Sequence, residues 1–387
     1  MGKIEIDHTG SGGGITLSSD GTSLLLGGTA IGGSALELYA ENPSTPTAPS
    51  AGGDNSVAIG FNASTSSGST GAHSTAIGYD AFARNQFNVA IGYDAEAGNS
   101  INTGNYAAAF GNEALAYATR SVALGKSRTG GADSFAAAIA NNTSSYGAIG
   151  LNSVAIGKQV KATATQSLAL VDNSTASGQS SVAIGSYATA SATSAVALGS
   201  AIASANYSVA IGGGGTTGKA TASGKNSIAL GDNAKAVEIG KFAFASNGGF
   251  DNSSNTQLGL LVLRSDTTDA TAEALTSDNS TASTNNQIIL PNNSAYAFHG
   301  TIVARQQASG GTASAAWKIE GLIRREGSAG TTVLVNSATT VLDNTPSWGM
   351  ALSADTTNGG LKIEVTGAAS TNIRWVATIH TSEVIYA

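Results

Sequence analysis

Asp266-Thr267-Thr268-Asp269 sets two carboxylates three positions apart in this 387-residue chain. Two such groups flanking a glycosidic bond can cleave it, one as acid and the other as base or nucleophile. Nothing around them fixes their separation, and solvated loop carboxylates are the commoner reading of such a segment. Gly213-Gly214-Gly215-Thr216-Thr217-Gly218-Lys219 has the glycine and lysine spacing of a phosphate-binding loop. Ala220 stands where a Ser or Thr would hold magnesium and another repeat follows instead of a helix, so the run reads as a loop insertion. His8, His73, His299 and His380 lie far apart without ligand spacing, which argues against a metal centre. On a trimer axis, three copies of His8 would form a ring of histidines. Arg324, Arg325 and Trp348 are of the types that dominate recognition surfaces and are the candidate contacts for a binding partner. The bland alternative packs Trp348 in a core and leaves the arginines blunting a solvated strand edge. The expectation is therefore binding without catalytic residues, cofactor or metal.

These residues must be positioned by a chain of unusual composition. Charged residues make up 11%, against about 25% in ordinary domains, and Gly, Ser, Thr, Asn and Ala fill the difference. A net charge of -7 disfavours nucleic acid or an anionic membrane as partner. Cysteine is absent, so no disulfide contributes. High Gly and Ser could indicate disorder, but disordered chains lack the regular Val and Ile placement seen here.

That placement is a repeat. Ser181-Val182-Ala183-Ile184-Gly185 recurs as Ser56-Val57-Ala58-Ile59-Gly60, Asn88-Val89-Ala90-Ile91-Gly92, Ser153-Val154-Ala155-Ile156-Gly157, Ala195-Val196-Ala197-Leu198-Gly199 and further copies. Gly157, Val171, Gly185 and Gly199 are each 14 apart, while the step from Gly60 to Gly78 is 18 and that from Gly92 to Gly111 is 19. Longer steps are loops added to one rung. Val182 and Ile184 share one side of an extended strand and Ala183 the other. A second short strand follows, as in Tyr187-Ala188-Thr189-Ala190 and Asp94-Ala95-Glu96-Ala97. Two strands and two turns fill the period, with each face roughly 16 Å wide at about 3.3 Å per residue. Identical strands at a fixed period stack like on like, which predicts a parallel solenoid over an antiparallel sandwich or barrel. Ordering each rung costs more than one Val and one Ile can return on burial, so the rungs should need further burial between chains. The sequence leaves open whether Val and Ile face the coil interior or a symmetry axis.

The alternation of a Ser-Val-Ala-Ile-Gly strand with an Ala-x-Ala strand resembles the YadA-like head repeats of trimeric autotransporter adhesins, over about Asn55 to Gly240. The resemblance implies a left-handed parallel β-roll assembled as a homotrimer. Local departures are Ala107-Ala108-Ala109-Phe110 before Gly111, Ala140 and Val171 in place of Gly, and Gly150 only seven residues before Gly157.

The flanking sequence differs from an autotransporter. Met1 to His8 lacks the apolar run of a secretory signal, so export by that route is not expected, and sequons such as Asn62-Ala63-Ser64 would stay unmodified. No run of 18 apolar residues offers a membrane helix. The strands carrying Arg374 and His380 do not suit a lipid-facing barrel. The N-terminal segment, with Ile15-Thr16-Leu17 and Leu24-Leu25-Leu26 around Ser19-Asp20-Gly21, resembles the base-attachment end of phage tail fibres. Three of the five prolines fall in Glu41 to Pro49, suiting a stiff spacer. Beyond Gly240 lie all three tryptophans, Trp317, Trp348 and Trp375, on strands of clear alternation such as Tyr296, Phe298, Gly300 and Ile302. An antiparallel sandwich of jelly-roll type is expected there.

The expected organisation is all-β: a virion-attachment segment over 1–40, a Pro-rich linker over 41–54, the repeat shaft over 55–240 and a knob over 241–387. The expected function is that of a homotrimeric phage tail fibre in the virion. A tail, baseplate or capsid protein would bind the N-terminus, and a host glycan or outer-membrane protein would bind the C-terminal end through Arg324, Arg325 and Trp348. The alternatives are a bacterial adhesin head, a polysaccharide-degrading tailspike and a purely structural fibre.

Overall fold

The computed structural model describes residues 47–99, 104–137, 145–213, 218–246, 255–344 and 346–386, with the backbone of five short strands in the first 38 residues. His8, most of the Pro-rich linker, Ala140 and residues 214–217 of the glycine-rich loop lie outside the described residues. All regular structure described is β apart from two short 3-10 turns. The chain forms two compact units, Met1–Asn152 and Ser153–Ala387.

The first unit begins with Ile4–Ile6, Ile15–Ser19, Leu24–Leu26 and Thr29–Ile31 in a four-stranded antiparallel meander. Ser19 pairs with Leu24. The rungs follow as two parallel sheets. In one, Ala58, Ala76, Ala90, Ala109, Ala123 and Ala136 form a single column of paired residues. In the other, Phe82–Ala83, Glu96–Ala97, Leu115–Ala116 and Arg128–Thr129 stack the same way. The long first step is taken up by an extended Ser64–Gly68 strand and a 3-10 turn at Ser69–Gly71.

Close stacking explains the glycines. A Cβ on Gly78 would lie 2.1 Å from the carbonyl oxygen of Gly92, and φ is +133° there. Only glycine tolerates both constraints. Val171, where glycine is expected, adopts φ +79° and is half exposed, so its side chain escapes outward.

The second unit continues the pattern. Ala155 pairs with Ala169, Ala169 with Ala183, Ala183 with Ala197, Ala197 with Ala210, Ala210 with Ala229 and Ala229 with Ala243. Every one of these alanines is fully buried. Val and Ile of the same strands are only partly covered or exposed. The face left open by the sequence is thereby decided: alanine fills the coil, and the larger residues point out of it.

The last rung strand, Phe242–Ala245, pairs antiparallel with β1, Thr256–Thr267, and the knob grows from there. Its other strands are β2 (Ala272–Ala274), β3 (Ile288–Ile289), β4 (Ser294–Gln306), β5 (Ser314–Arg325), β6 (Val333–Asp343), β7 (Gly349–Asp355), β8 (Gly360–Thr366) and β9 (Ile373–Ile385). The large sheet runs β1-β9-β4-β5-β6, all antiparallel. A smaller sheet is centred on β8, which pairs β7 on one side and β2 and β3 on the other. Leu261, Leu263, Phe298, Ile302, Trp317, Ile319 and Trp375 from the large sheet meet Leu361, Ile363, Val365 and Trp348 in one apolar core. The alternation read for Tyr296 to Ile302 and for Ile373 to Ile379 describes these strands.

Candidate functional site

The three candidate contact residues do not form a common surface. Trp348 is 5% exposed, with its ring 5.7 Å from that of Trp375. Its indole is committed to the core, which removes it as a contact; the backbone N–H of Trp348 donates to Asn344 Oδ1 at 2.9 Å. Arg325 is half-buried and donates from Nη1 to the Leu290 carbonyl at 2.7 Å. Arg324 alone projects into solvent, 3.9 Å from Glu326. Neither arginine is on a sheet edge, because β5 lies between β4 and β6 and Arg324 pairs with both Ala295 and Val333.

Asp266 and Asp269 are likewise separated in role. Asp269 is fully exposed, and hydrogen bonds from the Thr271 backbone and hydroxyl hold its carboxyl below the usual range. Asp266, at the end of β1, accepts from Asn279 Nδ2 at 2.8 Å and lies between two cavities. The larger, about 930 Å³, is walled by Asp266, Glu273, Asp355 and Glu364 with Lys362 and several Ser, Thr and Asn side chains. Each of those carboxylates is engaged: Ser265 donates to Glu273 at 2.6 Å, Asn358 to Asp355 at 2.8 Å, and Lys362 pairs with Glu364 at 3.0 Å. Burial tends to raise the Asp355 carboxyl, but hydrogen bonds from Asn358 and Thr357, with the charge of Lys362, together hold it low. The smaller cavity, about 440 Å³, contains Arg305 and Arg374, which the sequence reading did not select. Asp269 lines neither cavity.

The histidines are brought together in one case. His299 and His380, directly opposite on β4 and β9, stack with ring centroids 5.1 Å apart. Residues 81 positions apart carry no local signal of this. His73 packs against Phe87. Of the glycine-rich loop, Lys219 donates to the Tyr187 carbonyl at 3.3 Å, and the next rung strand, Thr221–Ala222, follows. Among the described residues no group of three or more His, Asp or Glu side chains could hold a metal ion.

Where the last rung meets the knob, Lys241 is buried between Glu383 (2.9 Å) and Glu238 (3.2 Å). Gln257 Nε2 and Thr381 Oγ1 donate to Glu383 at 2.6 and 2.7 Å, and the Lys241 ammonium lies 5.7 Å from the Tyr296 ring. Burial alone would lower the ammonium's pKa, but the two carboxylates prevail and hold it above its ordinary value. One ammonium faces two carboxylates, and burial pushes the Glu238 carboxyl up. Burial and the same carboxylates raise the Tyr296 phenol well above its ordinary value.

In both compact units the repeats turn apolar side chains outward. In the first, Phe61, Tyr79 and Tyr93 stack at 4.9 and 5.1 Å, and Phe87 stacks on Tyr106 at 4.8 Å. Rings in a column cover one another's faces, so these ladders fasten rungs. Phe110 and Leu124 in the first unit, and Ile156, Ile228 and Phe244 in the second, project outward from the strand whose alanine points in. The family model described as YadA head domain repeat (2 copies) matches residues 51–81, 69–95, 103–127, 148–170, 176–201, 199–214 and 218–237.

Residues 51–237 carry YadA head repeats.

The last segment matched to the YadA head repeats ends at residue 237, just before the Glu238–Lys241 contact. No curated protein matches the chain. Among solved structures it is similar to a tailspike protein of Acinetobacter baumannii bacteriophage Fri1, described as a capsular polysaccharide depolymerase, at 9% identity and a TM-score of 0.23. A tailspike of Acinetobacter baumannii phage AM24 aligns at 9% identity and a TM-score of 0.18. These alignments cover 91% and 89% of this chain and 60% of each tailspike. The chain thus spans about 60% of the length of those proteins. Among the described residues no helix is long and apolar enough to cross a membrane.

Proposed function

We propose that this chain is a homotrimeric, non-catalytic fibre of a phage virion that attaches the particle to its host through the C-terminal knob. The observation that carries the reading is the inside-out rung: Ala183 is sealed in the coil, while Val182 and Ile184 are left for a neighbouring subunit to cover. Exposed Val333, Val335, Val341 and Leu342 extend the same demand into β6 of the knob. Outward apolar residues in such number are a mark of association. The roll is read as left-handed, after the resemblance of its repeats. The knob is read as a sandwich of jelly-roll type on the support of two facing antiparallel sheets; the β4-β5-β6 meander is where it departs from that form.

Residues 1–40 would join a tail, baseplate or capsid protein, and the knob would meet a surface glycan or outer-membrane protein. Arg324 is the surviving member of the original contact set. The test is sedimentation of the full chain beside Val182→Ser/Ile184→Ser, with binding of both to a panel of bacterial cells. A wild-type trimer that binds cells saturably, and a variant that dissociates, are expected. A folded wild-type monomer would overturn the assembly, and a trimer that ignores every cell type would favour a purely structural fibre.

A further inference from the structure

The cleft of about 440 Å³ lies at the end of the large sheet away from the last rung. Leu258, Gly259 and Leu260, near the start of β1, pair with Phe244, Ala243 and Phe242, and from Leu260 the strand runs roughly 20 Å to Asp266 at the cleft. Across three adjacent strands, Asp266 on β1, Arg374 on β9 and Arg305 on β4 form one directly paired row. Directly opposed residues sit about 5 Å apart, and like charges in that relation repel. Arg305 and Arg374 are both exposed, and among the described residues neither has a carboxylate within ion-pair distance. Asp266, the nearest acid in the row, is hydrogen-bonded to Asn279 on its other side.

Hydrogen bonds fasten the segments around this pair. Arg305 Nη1 donates to the Thr312 carbonyl, tying it to the hairpin loop after β4. Gln307 is fastened to Asn372 twice, through its backbone N–H to the Asn372 carbonyl and from Asn372 Nδ2 to Gln307 Oε1, both at 2.8 Å. Gln306 Nε2 donates to the Gly310 carbonyl at 2.7 Å. Beneath, Thr267 and Ile373 are buried, and the Trp375 indole N–H donates to Thr267 Oγ1 at 3.0 Å. Two arginines thus occupy directly paired positions on adjacent strands at this cleft, flanked by amides and one carboxylate.

We propose that this cleft binds a carboxylate-bearing sugar of an acidic polysaccharide. The planar forks of Arg305 and Arg374 match a carboxylate bidentately. Amide groups and Asp266 provide complementary partners for ring hydroxyls. With Asp266 in the row, two positive charges and one negative leave a local excess of one, which matches a monoanionic carboxylate better than a phosphate dianion. The volume is within the range of small-ligand sites. The proposal rests on the reading that the knob is the binding end, and it names the ligand class of that end.

The test uses the full chain in surface-binding measurements against immobilised polygalacturonate, alginate, hyaluronan and polysialic acid. The carboxyl-reduced form of each polymer and dextran sulfate serve as comparators, and cell binding is measured in parallel. Saturable binding to at least one polyuronate or polysialate is expected, lost on carboxyl reduction and weakened at least tenfold by Arg305→Gln and by Arg374→Gln. Lys318→Gln, the same charge change on the exposed face of β5, should leave it unaltered. Equal binding to dextran sulfate, or affinity indifferent to both arginine variants, would overturn the proposal. Cell binding without binding to any of the acidic polymers would sink the ligand class and leave the fibre reading standing. Absence of both would sink the two together.

Discussion

Ala183 in a rung and Trp375 in the knob stand at inward positions of alternating strands, and both are fully buried. One contributes a methyl group and the other an indole packed against Trp317 and Trp348. The rungs bury little apolar area each and hold together through in-register backbone pairing, a dense column of small residues and surfaces left for other chains. The knob has enough apolar volume for a core of its own. The contrast separates the two roles: a repeat can be lengthened rung by rung because rungs short of the last pair with their neighbours, whereas the knob brings residues more than 100 positions apart into one core, as Thr267 and Trp375 demonstrate.

The comparison breaks most sharply at the largest inward side chain. Trp375→Ala should cost about 3–5 kcal/mol by emptying the centre of the knob core. Calorimetry should find the knob transition lowered and the rung transition unmoved; a uniform shift of both would mean the two regions melt as one. Next comes the junction. Lys241→Met strands Glu383 and Glu238 in a buried site without their counter-charge, a loss on the order of 3–5 kcal/mol. Hydrogen exchange should then speed up in Phe242–Ala245 and in the start of β1 before it does elsewhere, and unchanged protection there would refute the junction's role.

In the rungs the sensitive change is the opposite one, an addition. Ala183→Leu forces three more carbons into a coil with room for a methyl, and a cost of roughly 1–3 kcal/mol is expected from overpacking. Circular dichroism melts should register it, while Val182→Leu on the outward face of the same strand should be nearly silent in a monomer.

The smallest effect is a pH dependence at the junction. The folded Glu238 carboxyl is raised above its ordinary 4.5, so the native state binds a proton that the unfolded chain has released. Its stabilising contribution is therefore greatest below pH 4.5 and declines as pH rises through the folded value. Lys241 has the same sign in a different window: its contribution is fully present below 10.5 and is lost as pH rises through the raised folded value. Comparing melts of wild type and Glu238→Gln from pH 4.5 upward isolates the first effect. The variant should lack that decline, and parallel curves would exclude Glu238 as its source.

Much of this was legible in the residues. The 14-residue recurrence of Val-Ala-Ile-Gly is a parallel-stacking signal because only in-register neighbours make identical strands useful to one another. The glycine at the end of each copy marks a backbone-to-backbone approach, seen where Gly78 meets Gly92. The alternation around Tyr296, Trp317 and Trp375 anticipated the inner face of the large sheet. The candidate contacts fared differently. Residue type singled out Trp348, Arg324 and Arg325, yet type says nothing about whether an indole will be consumed by the core. Arg305 and Arg374 gave only the weak signal of a charge at an outward position, on the same face as the exposed Val303 and Val376.

By itself, then, the sequence determined the repeat, its period, the strand alternation and the change to a conventional core after Gly240, because these depend on residues near one another along the chain. The tertiary structure decided which side of each rung faces inward, since alternation has a period but no sign and the narrow coil favours small side chains, alanine above all. It also decided which charges meet. Lys241 with Glu383, and Arg305 with Arg374, are neighbours only because β9 lies between β1 and β4.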